Sequence, residues 1–292
     1  MNISIERLTK AYQPNMLALD GIDLTITGGM FGLLGPNGAG KSTLMQIMAT
    51  LLAPTEGTIR FGDYRLGKDD HEIRRALGYL PQYFGLYQKL TGEEFLTYIA
   101  TLKGYTATAD RRKRVTEMLE KVNLADKAKR KIKTYSGGMK QRIGIAQALI
   151  GDPRVIIVDE PTAGLDPEER VRFRNLLEDL SLERTVLLST HIVADIESSC
   201  GAMAVMRQGK LIFKGAPDEL LAMVKGKVWT GAVTERELPH VSLNGKVVSQ
   251  RKTRNGFELR ILAAGQPFAE AVPAIPDLED GYMALAGVDS HE

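Results

Sequence analysis

The sequence predicts an α/β fold built around a largely parallel sheet, and three observations carry that reading. Val155-Ile156-Ile157-Val158 and Val186-Leu187-Leu188-Ser189 are apolar almost without interruption, as in strands covered on both faces. A third run, Met30-Phe31-Gly32-Leu33-Leu34, ends in a glycine-rich turn that opens a helix over residues 41–52. Helical periodicity then fills the long interval between that turn and the later strands, the alternation expected of α/β chains.

The elements follow in order. Ile3, Ile5 and Leu8 begin a strand, and Leu24 and Ile26 alternate with polar residues in another. Leu44, Ile47, Met48 and Leu51 recur at helical spacing, and Thr58-Ile59-Arg60-Phe61-Gly62 is a further strand. Residues 91–150 read as helical. Thr91 with Glu94 three positions on forms a capping box before Phe95, Tyr98, Ile99 and Leu102. A charged helix spans 110–122, and a third follows Ser136-Gly137-Gly138 through Ile143, Ile145, Ala146 and Leu149. A helix spans 171–180. Ala202-Met203-Ala204-Val205-Met206 and Lys210-Leu211-Ile212-Phe213 form a hairpin through Gln208-Gly209. Beyond Lys225 the texture changes. Phe257, Leu259 and Ile261 alternate with charged residues, and Pro267, Pro273 and Pro276 punctuate the rest, giving a small accessory domain over 225–292.

Composition excludes several classes. Hydrophobic residues at 43% and charged residues at 25% fit a globular chain, not a disordered one. The lone Cys200 suits a reducing compartment. A net charge of +2 argues against a dedicated nucleic-acid binder. No apolar stretch is long enough to span a membrane, and the first residues lack a signal-peptide pattern. The 29 glycines exceed the usual share of about 7%.

Their placement points to chemistry. Gly35-Pro36-Asn37-Gly38-Ala39-Gly40-Lys41-Ser42-Thr43 matches G-x-x-x-x-G-K-[ST] between an apolar strand and a helix. Glycines let backbone N–H groups wrap an anion, and the helix start adds its positive dipole end. Lys41 is placed to reach the β- and γ-phosphates of a nucleotide, and Ser42 to bind Mg²⁺. The run at 155–158 leads into Asp159-Glu160, two carboxylates at the carboxyl end of a buried strand, where such sheets bind ligands. Asp159 suits a Mg²⁺ role and Glu160 the orientation of an attacking water. Tyr135-Ser136-Gly137-Gly138-Met139-Lys140-Gln141-Arg142 supplies a second helix start with a Ser cap and two glycines.

With these motifs in order, and with Gln82, Ala163-Gly164-Leu165-Asp166 and His191 in their places, the chain resembles the ATP-binding cassette (ABC) family over residues 1–220. The glycine-rich runs and the ending Leu278-Glu279-Asp280-Gly281-Tyr282-Met283-Ala284-Leu285 resemble drug- and antibiotic-exporter ATPase subunits that carry a C-terminal accessory domain. The resemblance implies a phosphate-loop core with an antiparallel β subdomain, a helical subdomain at about 91–150, and a small α+β domain at the end. It implies ATP and Mg²⁺, with Tyr12 stacking on adenine, Gln82 touching Mg²⁺ and sensing the γ-phosphate, and His191 contacting that phosphate. It also implies that Ser136, Gly137 and Gly138 meet the nucleotide of a second cassette, with Asp166 reaching across a homodimer interface. A separately encoded membrane permease would hold the pair at the cytoplasmic face of the membrane. Tyr135 and Met139 depart from the family's usual Leu and Gln. A soluble ABC ATPase acting on nucleic acid or ribosomes, an importer ATPase and a non-hydrolysing regulatory cassette are the alternatives. The ten basic residues of 110–133 read as a solvated helical face or one turned to anionic headgroups, and Phe84, Leu86 and Tyr87 as a permease groove or core.

Overall fold

Strands without polar alternation have no face to give to water, so they collect inside a sheet covered on both sides. The computed structural model, which describes residues 1–13, 16–162, 165–241 and 243–285, places them so. A six-stranded sheet runs β10-β9-β3-β8-β7-β6. Its strands are β3 (Gly29–Leu34), β6 (Leu77–Leu80), β7 (Val155–Asp159), β8 (Thr185–Thr190), β9 (Ala202–Arg207) and β10 (Lys210–Gly215). The first five lie parallel; β10 returns antiparallel to β9. Every residue of β7 and β8 is buried. Gln208 and Gly209 both take positive φ, which gives the β9–β10 hairpin its two-residue turn.

An antiparallel sheet, β2-β1-β4-β5, packs beside it, formed by β1 (Ile3–Gln13), β2 (Met16–Ile26), β4 (Glu56–Phe61) and β5 (Tyr64–Arg65). Helix α1 (Lys41–Met48) lies in the core between the two sheets. Leu44, Met45, Ile47 and Met48 are all fully buried, so the helix is covered nearly all round. It ends four residues before the expected position because Ala49 caps it and Thr50 turns to φ 60°.

Helix α2 (Asp70–Ala76) precedes β6, which is too short for periodicity to reveal. The helical stretch forms α3 (Gly92–Leu102), α4 (Thr108–Lys121) and α5 (Gly137–Leu149), with α6 (Pro167–Ser181) beyond. The capping box at α3 is present in both directions: Glu94 N–H donates to Thr91 at 3.2 Å and Thr91 N–H to Glu94 at 2.7 Å. Helix α6 starts earlier than its apolar periodicity suggests, because Asp166 caps it and Pro167 occupies its first turn.

Phe84 and Leu86 are half-buried: they pack against the helical core and also line a cavity beside Gly137, while Tyr87 is exposed. The basic run is partly structural. Arg114 donates to the Leu149 and Ile150 carbonyls, and Arg111 to those of Tyr105 and Thr106.

After α7 (Val193–Glu197) and α8 (Pro217–Met223), the chain forms a third sheet, β12-β13-β11-β14, together with α9 (Leu238–Val241). Its strands are β11 (Val228–Val233), β12 (Lys246–Thr253), β13 (Gly256–Leu262) and β14 (Val272–Pro273). Helix α10 (Leu278–Leu285) then packs back on α7 and α8, and its Leu278 and Leu285 join the same core as Ile196 and Leu220. The joint is polar as well. Arg260 on β13 donates to both oxygens of the fully buried Asp280, and Leu278 N–H donates to Glu197 at 3.3 Å. Asp280→Ala removes two charge-assisted hydrogen bonds and leaves the guanidinium with Asp277 and the Ile275 carbonyl, and is expected to lower stability by about 2 kcal/mol. Urea unfolding followed through Trp229, the sole tryptophan, on β11, measures this.

Candidate active site

The glycine-rich loop is held from both sides. Gly35 N–H donates to the Thr190 carbonyl at the end of β8, and Gly209 N–H donates to the Ala39 carbonyl. Gly40 sits at φ 102°, and a Cβ there would meet the Ala18 carbonyl oxygen, so no other residue fits. It precedes α1 without any side-chain cap, which leaves the first N–H groups of the helix for an anion.

Lys41 is 4% exposed and points back into the loop. Its Nζ donates to the Gly35 carbonyl at 2.7 Å and the Pro36 carbonyl at 3.1 Å, and pairs with Glu160 Oε1 at 3.2 Å. The other oxygen, Glu160 Oε2, accepts from Gln82 Nε2 at 3.2 Å and lies 3.1 Å from His191 Nδ1. Three residues from three separate segments therefore converge on one carboxylate. Glu160 is 6% exposed and takes φ 46°, a left-handed conformation that costs a non-glycine residue roughly 1–2 kcal/mol. That backbone reversal lets Glu160 turn out of the strand while its N–H still reaches the Ser189 carbonyl at 3.0 Å.

Asp159 is also buried, and burial pushes its carboxyl above the usual carboxylate range against the opposing influence of the nearby Ser42 and Ser189 hydroxyls. Its Oδ1 has no hydrogen-bond partner among the described residues. An orphaned carboxylate oxygen near a hydroxyl suits a hard cation. Among the described residues no group of three or more His, Cys, Asp or Glu side chains forms a metal cage. A cation here would therefore draw most of its ligands from phosphates and water, the usual habit of Mg²⁺.

A cavity of about 500 Å³ joins these parts, bounded by the loop, Tyr12, Gln82 and Glu160. Tyr12 is 51% exposed, and its hydroxyl lies 3.4 Å from that of Thr43, so its ring is available to a planar base. Met16, Leu17 and Ala18 complete that wall. The sequence reading misses them, because their only signal is apolar exposure at the start of β2.

Ser136, Gly137 and Gly138 do not line this cavity. Ser136 caps α5 by accepting from Met139 N–H at 3.2 Å, and the Glu169 side chain lies against Gly138, where a Cβ would have to push it aside. A second cavity of about 290 Å³ sets Gly137 beside Gln82, Lys140 and Leu165. Tyr135 is buried, and its hydroxyl donates to the Lys127 carbonyl, so this departure from the usual Leu is a packing anchor. Asp166 accepts from Glu169 N–H as the cap of α6. Ala163 and Gly164 lie outside the described residues, as does His291.

A glycine-rich loop opening a helix, an acid pair at a strand end and a histidine just after the neighbouring strand are the parts of a phosphate-loop nucleotide hydrolase. Comparison with known proteins narrows the class. The ABC transporter family model matches residues 19–163. The chain is 38% identical over 272 residues to the uncharacterized ABC transporter ATP-binding protein YxlF of Bacillus subtilis, covering 90% of this chain and 88% of that one. It is 36% identical over 228 residues to the daunorubicin/doxorubicin resistance ATP-binding protein DrrA of Streptomyces peucetius, covering 77% and 68%. Among solved structures it matches a dimeric post-hydrolysis state of the ATP-binding cassette MJ0796 bound to ADP and Pi. That match has a TM-score of 0.66 and 30% identity over 73% of this chain and 98% of that one. The chain belongs to the ABC transporter family, and it is an ABC ATPase of that family's cassette fold.

Proposed function

We propose that this chain hydrolyses ATP to power an exporter, paired with a second copy of itself and docked on a separately encoded permease at the cytoplasmic face of the membrane. Residues 1–220 serve as the cassette and 225–292 as an accessory domain. The observation that carries this reading is the convergence of Lys41, Gln82 and His191 on Glu160 at the mouth of the glycine-rich loop.

An entering γ-phosphate competes with Glu160 for Lys41. Once released, Glu160 remains aligned by Gln82 and His191 and is placed to orient water and accept its proton. A neutral His191 that donates Nδ1–H to Glu160 keeps Nε2 free as an acceptor, whereas an imidazolium offers a second donor to phosphate oxygen. Tyr12, Met16 and Leu17 receive the base, and Gly35, Pro36, Asn37, Gly38, Ala39, Gly40 and Thr43 cradle the phosphates. Ser42, Gln82 and Asp159 would hold Mg²⁺, which when bound neutralises phosphate charge. The N-terminus of α5, at Ser136 to Gly138, lies outside its own chain's cavity, which supports its use by the nucleotide of a partner cassette, with Asp166 near that junction. Drug-resistance names among the relatives support the direction of transport.

The test is affinity capture of the full-length chain from its own cells together with a phosphate-release assay. Magnesium-dependent phosphate release and co-purification of an integral membrane protein are expected. Recovery with ribosomes or DNA, or no phosphate release, overturns the reading.

A further inference from the structure

Asp195 lies on α7, 1% exposed, four residues after His191, and no motif considered above includes it. Its Oδ2 accepts two hydrogen bonds, from Thr162 Oγ1 at 2.8 Å and from Thr190 Oγ1 at 3.2 Å. Thr162 is two residues beyond Glu160, and Thr190 immediately precedes His191. Thr190 Oγ1 also accepts from Ile192 N–H at 3.0 Å, so the turn that carries His191 is closed around it. One carboxylate oxygen thus ties together the two segments whose side chains meet at 3.1 Å. The other oxygen, Oδ1, has no partner among the described residues. A buried carboxylate with one oxygen unmet is costly to keep and adds less stability than a well-packed apolar residue would. Below it, Ile196 lies against Gly32 on β3 with no space for a Cβ, so α7 is fixed on the sheet. The tether is anchored to a rigid element.

We infer that Asp195 is a positioning residue for hydrolysis: through Thr162 and Thr190 it holds Glu160 and His191 in register with each other. This rests on the roles proposed above for those two residues. Displacements of about 1 Å at reacting groups can cost on the order of 10²-fold in rate. Nucleotide binding resides mainly in the loop and α1, on which Asp195 makes no bond.

The test uses the purified full-length chain and the variants Asp195→Asn, Asp195→Glu, Thr162→Val and Thr190→Val. The threonine variants remove one hydroxyl each and keep side-chain volume, so they remain informative if Asp195→Asn folds poorly. The expected result is a fall in kcat of about 10–100-fold for Asp195→Asn, with KM for ATP within about threefold of wild type. Smaller falls are expected for each threonine variant and partial recovery in Asp195→Glu. In a His191→Ala background the Asp195→Asn change should add less than about threefold, because coupled residues are not additive. The imidazole resonance of His191, one of four histidines, should shift in Asp195→Asn without nucleotide present. Wild-type kcat and an unmoved His191 resonance, or effects that multiply in the double variant, overturn the inference. If Glu160→Gln itself retains turnover, the fault lies in the proposed role of Glu160; if it does not and the Asp195 variants behave as wild type, only the positioning role fails.

Discussion

Glu160→Gln is expected to bind ATP at least as tightly as the wild type while its turnover falls by about 10²–10⁴-fold, the range for loss of a general base. The amide has the shape of the carboxylate and keeps its carbonyl oxygen as acceptor for Gln82 and His191, so the local geometry survives. What disappears is charge. An amide cannot take a proton from water at neutral pH. It also cannot hold Lys41 as an ion pair, which in the wild type sits 3.2 Å away with both partners buried. Lys41 then has no internal competitor for phosphate, so ATP affinity holds or rises. With binding intact and hydrolysis blocked, closed dimers should accumulate, visible as an ATP-dependent doubling of mass in light scattering. Unchanged turnover would remove Glu160 from the mechanism. A large loss of ATP affinity would instead show that the carboxylate organises the loop.

Lys41→Ala acts on the opposite side of that ion pair and is expected to weaken nucleotide binding by about 10²-fold. A charge-assisted hydrogen bond contributes roughly 1.5–3 kcal/mol, and 1.4 kcal/mol is tenfold in affinity. Two further consequences follow from its burial. Glu160 loses its only close cation among the described residues, which places an uncompensated negative charge where phosphate must enter. The Gly35 and Pro36 carbonyls lose the ammonium that bridges them, so the loop loses a constraint on its shape. Titration with a fluorescent ATP analogue measures the loss directly. Retained wild-type affinity would separate Lys41 from the phosphates and with it the proposed use of the loop.

Local features were legible wherever a short segment carried its own physical reason. The capping box at Thr91 and Glu94, the uninterrupted runs of β7 and β8, and the two-residue hairpin turn at Gln208-Gly209 each declare themselves within six residues or fewer. Elements that borrow their stability from a neighbour did not. Four-residue β6 exists because β7 offers it a parallel edge, and the paired strands of the third sheet hold only a small core of their own. The α6 boundary shows an intermediate case: its apolar residues mark the middle, and the Asp166-Pro167 start is visible only if caps are weighed before periodicity.

The candidate site divides along the same line. Residue types and spacings by themselves determined that this protein has a glycine-rich loop opening a helix, an acid pair at a strand end and a second glycine-marked helix start, because each is a local backbone device. Only the tertiary structure decided what those parts do to one another. Gln82 and Glu160 are 78 residues apart and touch because β6 and β7 lie side by side; His191 meets Glu160 because β8 lies on the other side of β7. The left-handed turn at Glu160, the buried pairing with Lys41 and the Asp195 tether arise from sheet order and burial. A linear pattern cannot specify them, since the forces that set them act between segments distant along the chain.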